Sequence, residues 1–267
     1  MIKKIKFNFI HFLRYFYLIK FNKFEIEIEI LKSLVNQNSN CFDIGCCHGS
    51  YSRILAKHCK KVYAFEAEKE NYAYLKTVMK QKNFHVFNYG VSNKNGVSNL
   101  YIPVINSKKN TAMSSLSNNI QNENLSSNKP KILISQKVKT ITLDSFITKK
   151  KIKSVDFIKI DVEGMELQIL KKRKSVLKIL KPIFMIEILK DDKNNHKKVF
   201  SFMKKYNYLS FYLNRKNKKL FKCSAKDVIR FQTKKLKLLK DKNFFDQKYI
   251  HNFFFIPKDK IKSLKFF

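Results

Sequence analysis

Hydrophobic and polar positions in this chain alternate between two periods. Short apolar runs stand at 41–44, 61–65, 85–87, 155–160, 182–188 and 251–256. Near-continuous runs of this length read as strands buried on both faces. Between them, apolar residues recur at helical spacing over 51–59, 68–81, 163–180 and 193–206, with Tyr72, Leu75 and Met79 marking the second of these. The stretch 25–37 carries both signals. EIEIEI alternates like a strand, yet Ile26, Ile30 and Leu34 recur four apart among helix formers, which predicts a helix. Strand and helix alternate through Ile188, so a mainly parallel, doubly wound sheet is expected. The runs at 208–213 and 251–256 lack a strong helix between them and predict an antiparallel addition at one edge. Two further strands are predicted at 97–104 and 132–143. They flank a Ser-, Asn- and Lys-rich loop at 106–129, a length typical of functional lids or of disorder. A basic insertion covers 224–248, and no internal repeat is visible. The expected fold class is therefore α/β: a doubly wound, mainly parallel, seven-stranded, Rossmann-like sheet with an antiparallel edge and an N-terminal helical extension. The expected domain spans 25–257, between a basic aromatic extension (1–24) and a basic tail (258–267).

Composition narrows the class. The chain has 267 residues, 44% of them hydrophobic, with 25 Phe and only five Gly, a globular composition with room for one large core. The formal charge is +36, which attracts nucleic acid and anionic membranes. Yet only five of the 56 basic residues are Arg, the residue preferred for bidentate phosphate and base recognition. A surplus of Lys, Asn, Ile and Phe is also what an AT-rich genome encodes, so nucleic acid is not the favoured partner. Residues 1–21 place Ile5, Phe9, Phe12, Phe16 and Ile19 on one helical face flanked by Lys. Such a face packs on a core or lies on an anionic membrane surface. It is too short and too charged to span a bilayer, and no cleavage signal follows. Five Cys without a C-x-x-C pair point away from a disulfide framework or zinc, and to a cytoplasmic, reducing compartment with membrane association as an alternative.

Two segments carry the candidate chemistry: NCFDIGCCHGSYS at 40–52 and KIDVEGME at 159–166. Each is an apolar strand ending in acids and running into a helix, and ligands in open α/β sheets bind outside such strand ends. The first loop spaces Gly45 and Gly49 four apart, with Cys47 where a dinucleotide fold has its middle glycine. A cofactor without a pyrophosphate does not need that glycine. The pattern therefore favours S-adenosylmethionine, with Asp43 and Gly45 beside its methionine part. Glu66, 21 residues past Gly45 at the end of the next strand, suits the ribose hydroxyls. Asn88 and Gly90 follow the third strand, where adenine would pass. Asp161, Glu163 and Glu166 crowd the fourth strand end, and three carboxylates so close need a sulfonium, a Lys or a divalent metal nearby. With Glu187 of the fifth strand, Asp161 and Glu163 offer oxygens for Mg²⁺, an alternative that is not favoured. Glu163 is also placed to open the following helix.

FDIGCCHGSYS, VYAFEAEKENYAYL, TLDSF, DFIKIDVEGMELQIL and PIFMIEI, in that order, resemble the FkbM family of S-adenosylmethionine-dependent methyltransferases over about 40–188. HNFFFIP resembles the family's last strand. The family usually reads D-x-G-A-N-x-G in the first loop, so Cys46 and Cys47 stand for Ala and Asn, and Ala67 stands for the Pro of AFEP. The resemblance implies a class I methyltransferase fold and O-methylation of a sugar, glycan or related secondary-metabolite hydroxyl. It carries cofactor contacts onto Asp43, Gly45, Cys47, Gly49, Glu66, Ala67, Asn88 and Gly90. Asp161 and Glu163 are then the expected catalytic residues, as base or acceptor-positioning groups, with His48 a weaker candidate. An RNA methyltransferase or RNA-binding protein, and a nicotinamide-dependent oxidoreductase, are the rival readings.

Overall fold

A computed structural model describes residues 27–105, 107–118, 132–171, 176–190, 194–214, 216–232 and 250–264. The expected N-terminal extension and its membrane face lie outside these residues. So do 106 and 119–129 of the long loop and 233–248 of the basic insertion.

The expected alternation is present. After α1 (Glu27–Leu34), the chain runs through β1 (Asn40–Ile44), α2 (Ser50–His58), β2 (Lys61–Phe65), α3 (Lys69–Val78) and β3 (Phe84–Phe87). The second half supplies β8 (Phe157–Ile160), α5 (Glu166–Lys171), β9 (Ile183–Glu187), α6 (Asn195–Lys205), β10 (Tyr208–Asn214), β11 (Lys219–Lys222), α7 (Ala225–Gln232) and β12 (Asn252–Pro257). They form one sheet in the order β11-β10-β12-β9-β8-β1-β2-β3. The run from β9 to β3 is parallel, and β12, β10 and β11 continue it antiparallel. The sheet thus has eight strands where seven were expected. The extra one is β11. Asn214 starts its hairpin by accepting the amides of Lys216 and Asn217, and only Leu220 of KLFK is buried. A short edge strand with Lys at both ends gives little apolar signal and resists further pairing.

The central strands alternate between two cores. In β12, Phe253 and Phe255 pack on one face and Phe254 and Ile256 on the other. The first face is covered by α5, α6 and an unexpected helix, α4 (Leu143–Lys149). Its Phe146 meets Phe65 and Phe87 edge-on at 4.7 and 4.8 Å between ring centres. The strand expected over 132–143 ends at Ile141 because Thr142 accepts the amide of Ser145 and caps α4. The helix expected over 163–180 starts three residues late. Glu163 and Gly164 sit at φ 51° and 96°, a conformation that cannot propagate a right-handed helix. Helix α5 therefore starts only at Glu166, and Val176–Leu180 is π-helical. The described part of the basic tail, Lys258–Ser263, is a 3₁₀ turn on β12, with Ile261 and Leu264 against the second core.

A second, four-stranded sheet stands beside the first, in the order β4 (Gly90–Val91), β7 (Ile132–Ile141), β5 (Gly96–Ile105), β6 (Lys108–Lys109). Strands β5 and β7 pair antiparallel from Gly96↔Thr140 to Val104↔Ile132. Part of the expected long loop is therefore ordered: β6, a 3₁₀ turn at Thr111–Met113 and a bridge between Ser115 and Tyr101.

Candidate active site

The carboxyl ends of β1, β2, β8 and β9 open into a cavity of about 270 Å³. Its floor is Ile44, Gly45 and Cys47 after β1, with Glu66 and Ala67 after β2. Asp161, Val162 and Glu163 follow β8, and Glu187 ends β9. Its outer wall is the Thr111–Ser114 segment with Leu116, while Tyr89, Gly90, Val91 and Leu100 close one side. Ser115 ties wall to floor by donating to the carbonyl of Glu163 at 2.8 Å.

Gly45 is at φ 77°, and a Cβ there would lie 1.7 Å from the carbonyl oxygen of Asp161. Two loops cross at that point, so the glycine is required by backbone against backbone and not only by space for a ligand. The amides of Gly45 and Cys46 both donate to the carbonyl of Phe65, at 3.0 and 3.1 Å, which fixes the turn against β2. Cys47 is also left-handed, at φ 47°, a conformation that suits Asn better than Cys. Its amide donates to Glu66 at 2.8 Å, and its thiol lies 3.0 Å from Nδ1 of His48.

Glu66 is buried, with one oxygen on the Cys47 amide and the other on the Glu68 amide at 2.8 Å. Burial pushes its carboxyl up to about 8, against the pull of those two amides. Each oxygen retains capacity to accept a further hydrogen bond.

The far end of the cavity is acidic. Asp161, Glu163 and Glu187 bring one oxygen each within 4.8 Å of one another. Burial and the charges of Asp161 and Glu166 raise Glu163 to about 8. Burial, the Asp161 charge and a hydrogen bond with Asp161 raise Glu187 well above the carboxylate range. The positive group that this crowding demands is Lys159, which sequence reasoning missed. It is buried, donates to Asp161 at 2.7 Å, lies over the Tyr51 ring at 4.6 Å and pairs in register with Asp43. A lysine inside the buried run FIKI was the available signal, since unpaired lysines are almost never fully buried.

Seven of the ten sequence-predicted site residues line the cavity: Gly45, Cys47, Glu66, Ala67, Gly90, Asp161 and Glu163. The other three support it from behind. Asp43 is buried and accepts the Ser52 hydroxyl at 2.6 Å. Gly49 caps α2 at φ 78°, where a Cβ would meet Leu75 at 2.7 Å. Asn88 donates to the carbonyls of Glu66 and Ala67 and so ties β3 to β2. Glu163 does not open a helix; Glu166 does, and it also accepts the Gly164 amide at 3.0 Å.

The cavity thus lies at the carboxyl ends of the parallel strands of the eight-stranded sheet. Residues 43–210 match the Methyltransferase FkbM domain. The chain belongs to the FkbM methyltransferase family. Among solved structures it is similar to the FkbM methyltransferase of Methylobacillus flagellatus KT, at 16% identity and TM-score 0.37 over 57% of this chain and 33% of that one. It thus spans about a third of that protein. It is also similar to an rRNA methylase from Streptococcus thermophilus, at 13% identity and TM-score 0.37 over 65% and 75% of the two chains. A third likeness is TrmK of M. capricolum in complex with S-adenosyl-homocysteine, at 13% identity and TM-score 0.38 over 87% and 67%. No curated protein matches the chain in sequence. Among the described residues, no helix is long and apolar enough to cross a membrane.

Proposed function

We propose that the chain methylates a hydroxyl of a sugar, glycan or related secondary metabolite, using S-adenosylmethionine. The observation that carries this reading is the polarity of one cavity: Glu66 stands at one end and Asp161, Glu163 and Glu187 at the other. The residues present fit the cofactor. Glu66 has acceptor capacity for two ribose hydroxyls, and Leu100, Leu116 and Val91 give an apolar flank for a planar ring. The far carboxylates suit a positive sulfur. When bound, the cofactor supplies a methyl group made electrophilic by that sulfur.

The chain's own residues then orient and deprotonate. The acceptor hydroxyl is held in line by Asp161 and Glu163, which lie beside the wall segment that excludes water. A carboxylate with a raised affinity for protons is a stronger base than an ordinary one. Once ionised, near and above about pH 8, Glu163 takes the hydroxyl proton on its side-chain oxygen, and Lys159 places a positive charge against Asp161 beside it. Lys159 also supplies the positive charge that an Mg²⁺ ion would otherwise bring to this cluster.

Methyl transfer from labelled S-adenosylmethionine to glycan and to RNA acceptors, with and without EDTA, tests the reading. Asp161→Asn and Glu163→Gln are expected to lower turnover at least tenfold while S-adenosylhomocysteine affinity stays within a few-fold. Full turnover in both variants removes these carboxylates from the mechanism. Labelling of RNA alone moves the substrate class to nucleic acid, and EDTA-sensitive turnover restored by Mg²⁺ replaces the lysine account with a metal.

A further inference from the structure

Behind the cavity, two thiols stand closer than separate sulfur atoms ordinarily do. Cys41, in β1, and Cys59, which ends α2, have Sγ atoms 2.9 Å apart. Non-bonded carbon atoms meet at about 3.5–4.0 Å and sulfur is larger, whereas a disulfide measures about 2.05 Å. Backbone on both sides holds the pair. Cys41 lies in register between Val62 and Phe157. The Cys59 amide donates to the Leu55 carbonyl at 2.9 Å, and the Cys59 carbonyl accepts from Asn83 at 2.9 Å. Both side chains are buried. The Cys59 contact and burial push the Cys41 thiol far up, so in the finished fold it is a poor nucleophile.

We propose that Cys41 and Cys59 are joined by a disulfide when the chain folds in the presence of a low-molecular-weight disulfide. The cross-link ties the two ends of the segment that holds Asp43, Gly45, Cys47 and Gly49. Because burial hides both sulfurs, the exchange takes place while this unit is still open. The Cys59 thiolate attacks the reagent's disulfide, forming a mixed disulfide and releasing one thiol. The Cys41 thiolate then attacks the Cys59 sulfur of that mixed disulfide and releases the second. The protein loses two protons and two electrons, and the reagent's S–S bond leaves as two thiols. The remaining cysteines stand apart from the pair: Cys47 contacts His48, Cys46 is buried within the first loop, and Cys223 is on the far side of the sheet beside Ser210.

The test refolds the full chain in a glutathione–glutathione disulfide buffer, then alkylates it under denaturing conditions and weighs it. Three of the five cysteines are expected to react before reduction and all five after dithiothreitol, with a Cys41–Cys59 peptide in the digest. Reduction is expected to lower the Tm of the wild type by roughly 5–10 °C and to leave Cys41→Ala and Cys59→Ala unchanged. Five reactive thiols before reduction, or a cross-link that joins other cysteines, overturns the proposal. The thiol count needs no folded variant, and it is independent of methyl transfer.

Discussion

Replacing Gly45 with alanine tests the loop crossing under the cavity. The new Cβ would lie 1.7 Å from the Asp161 carbonyl oxygen and 2.9 Å from its carbon. Neither loop can yield freely. The Asp161 amide donates to the Ile44 carbonyl at 3.0 Å, and Gly45 and Cys46 share the Phe65 carbonyl. Relief therefore breaks hydrogen bonds across β8, β1 and β2. The backbone contributes a further cost, since φ 77° with a Cβ is unfavourable by about 1–2 kcal/mol. Overpacking against fixed neighbours adds about 1–3 kcal/mol, for a total of about 2–5 kcal/mol. In urea, with a slope of about 3 kcal/mol per molar, the midpoint drops by about 0.7–1.7 M without any ligand present. An unchanged midpoint with lost S-adenosylhomocysteine binding refutes the reasoning, because Gly45 would then serve the ligand alone.

Two further predictions concern the acidic end. Lys159→Met removes the cation buried beside Asp161 and Asp43 and is expected to cost about 3–5 kcal/mol at pH 8; denaturant midpoints at pH 5 and pH 8 check this, and a loss no smaller at pH 5, closer to the range in which the Asp43 carboxyl, raised by burial, takes up a proton, contradicts it. Burial holds Glu66 and Glu163 up to about 8 and Glu166 up to about 7, so the folded chain binds more protons than the unfolded chain between about pH 4.3 and 8. That contribution to stability is fully present below the lower limit and lost as pH rises through the upper. In high salt, which screens the lysines, Tm of the ligand-free protein is expected to fall from pH 5 to pH 8, less steeply in Glu66→Gln; a rise over this range is the contrary result.

The central strands were legible because they are buried on both faces and therefore continuous in apolar residues. β2 was read to the residue, and β1, β8 and β9 to within two at either end. β11 was not legible, because an edge strand buries one side chain in four. The late start of α5 was hidden for another reason: VEGMELQIL has helical spacing throughout, and only the left-handed backbone at Glu163 and Gly164 interrupts it. Within the site, glycines and acids at strand ends could be named from the sequence, since topology alone brings strand ends together. Lys159 could not be matched to Asp43, because the register of β1 on β8 joins residues 116 apart, whereas its pairing with Asp161, two residues further along the same segment, was open to the sequence. Asp43 and Asn88 were placed beside the ligand for their position, but their hydrogen bonds to Ser52 and to the Glu66 and Ala67 carbonyls turn them to support.

Titration of the ligand-free protein with S-adenosylhomocysteine by calorimetry, with NAD in parallel and with Glu66→Ala as the variant, tests the central claim most directly. The account predicts one-to-one binding of S-adenosylhomocysteine, no binding of NAD, and an affinity loss of about 1–3 kcal/mol in Glu66→Ala. Binding of NAD alone, or equal affinity in the variant and the wild type, would contradict the assignment of this cavity and of Glu66 within it.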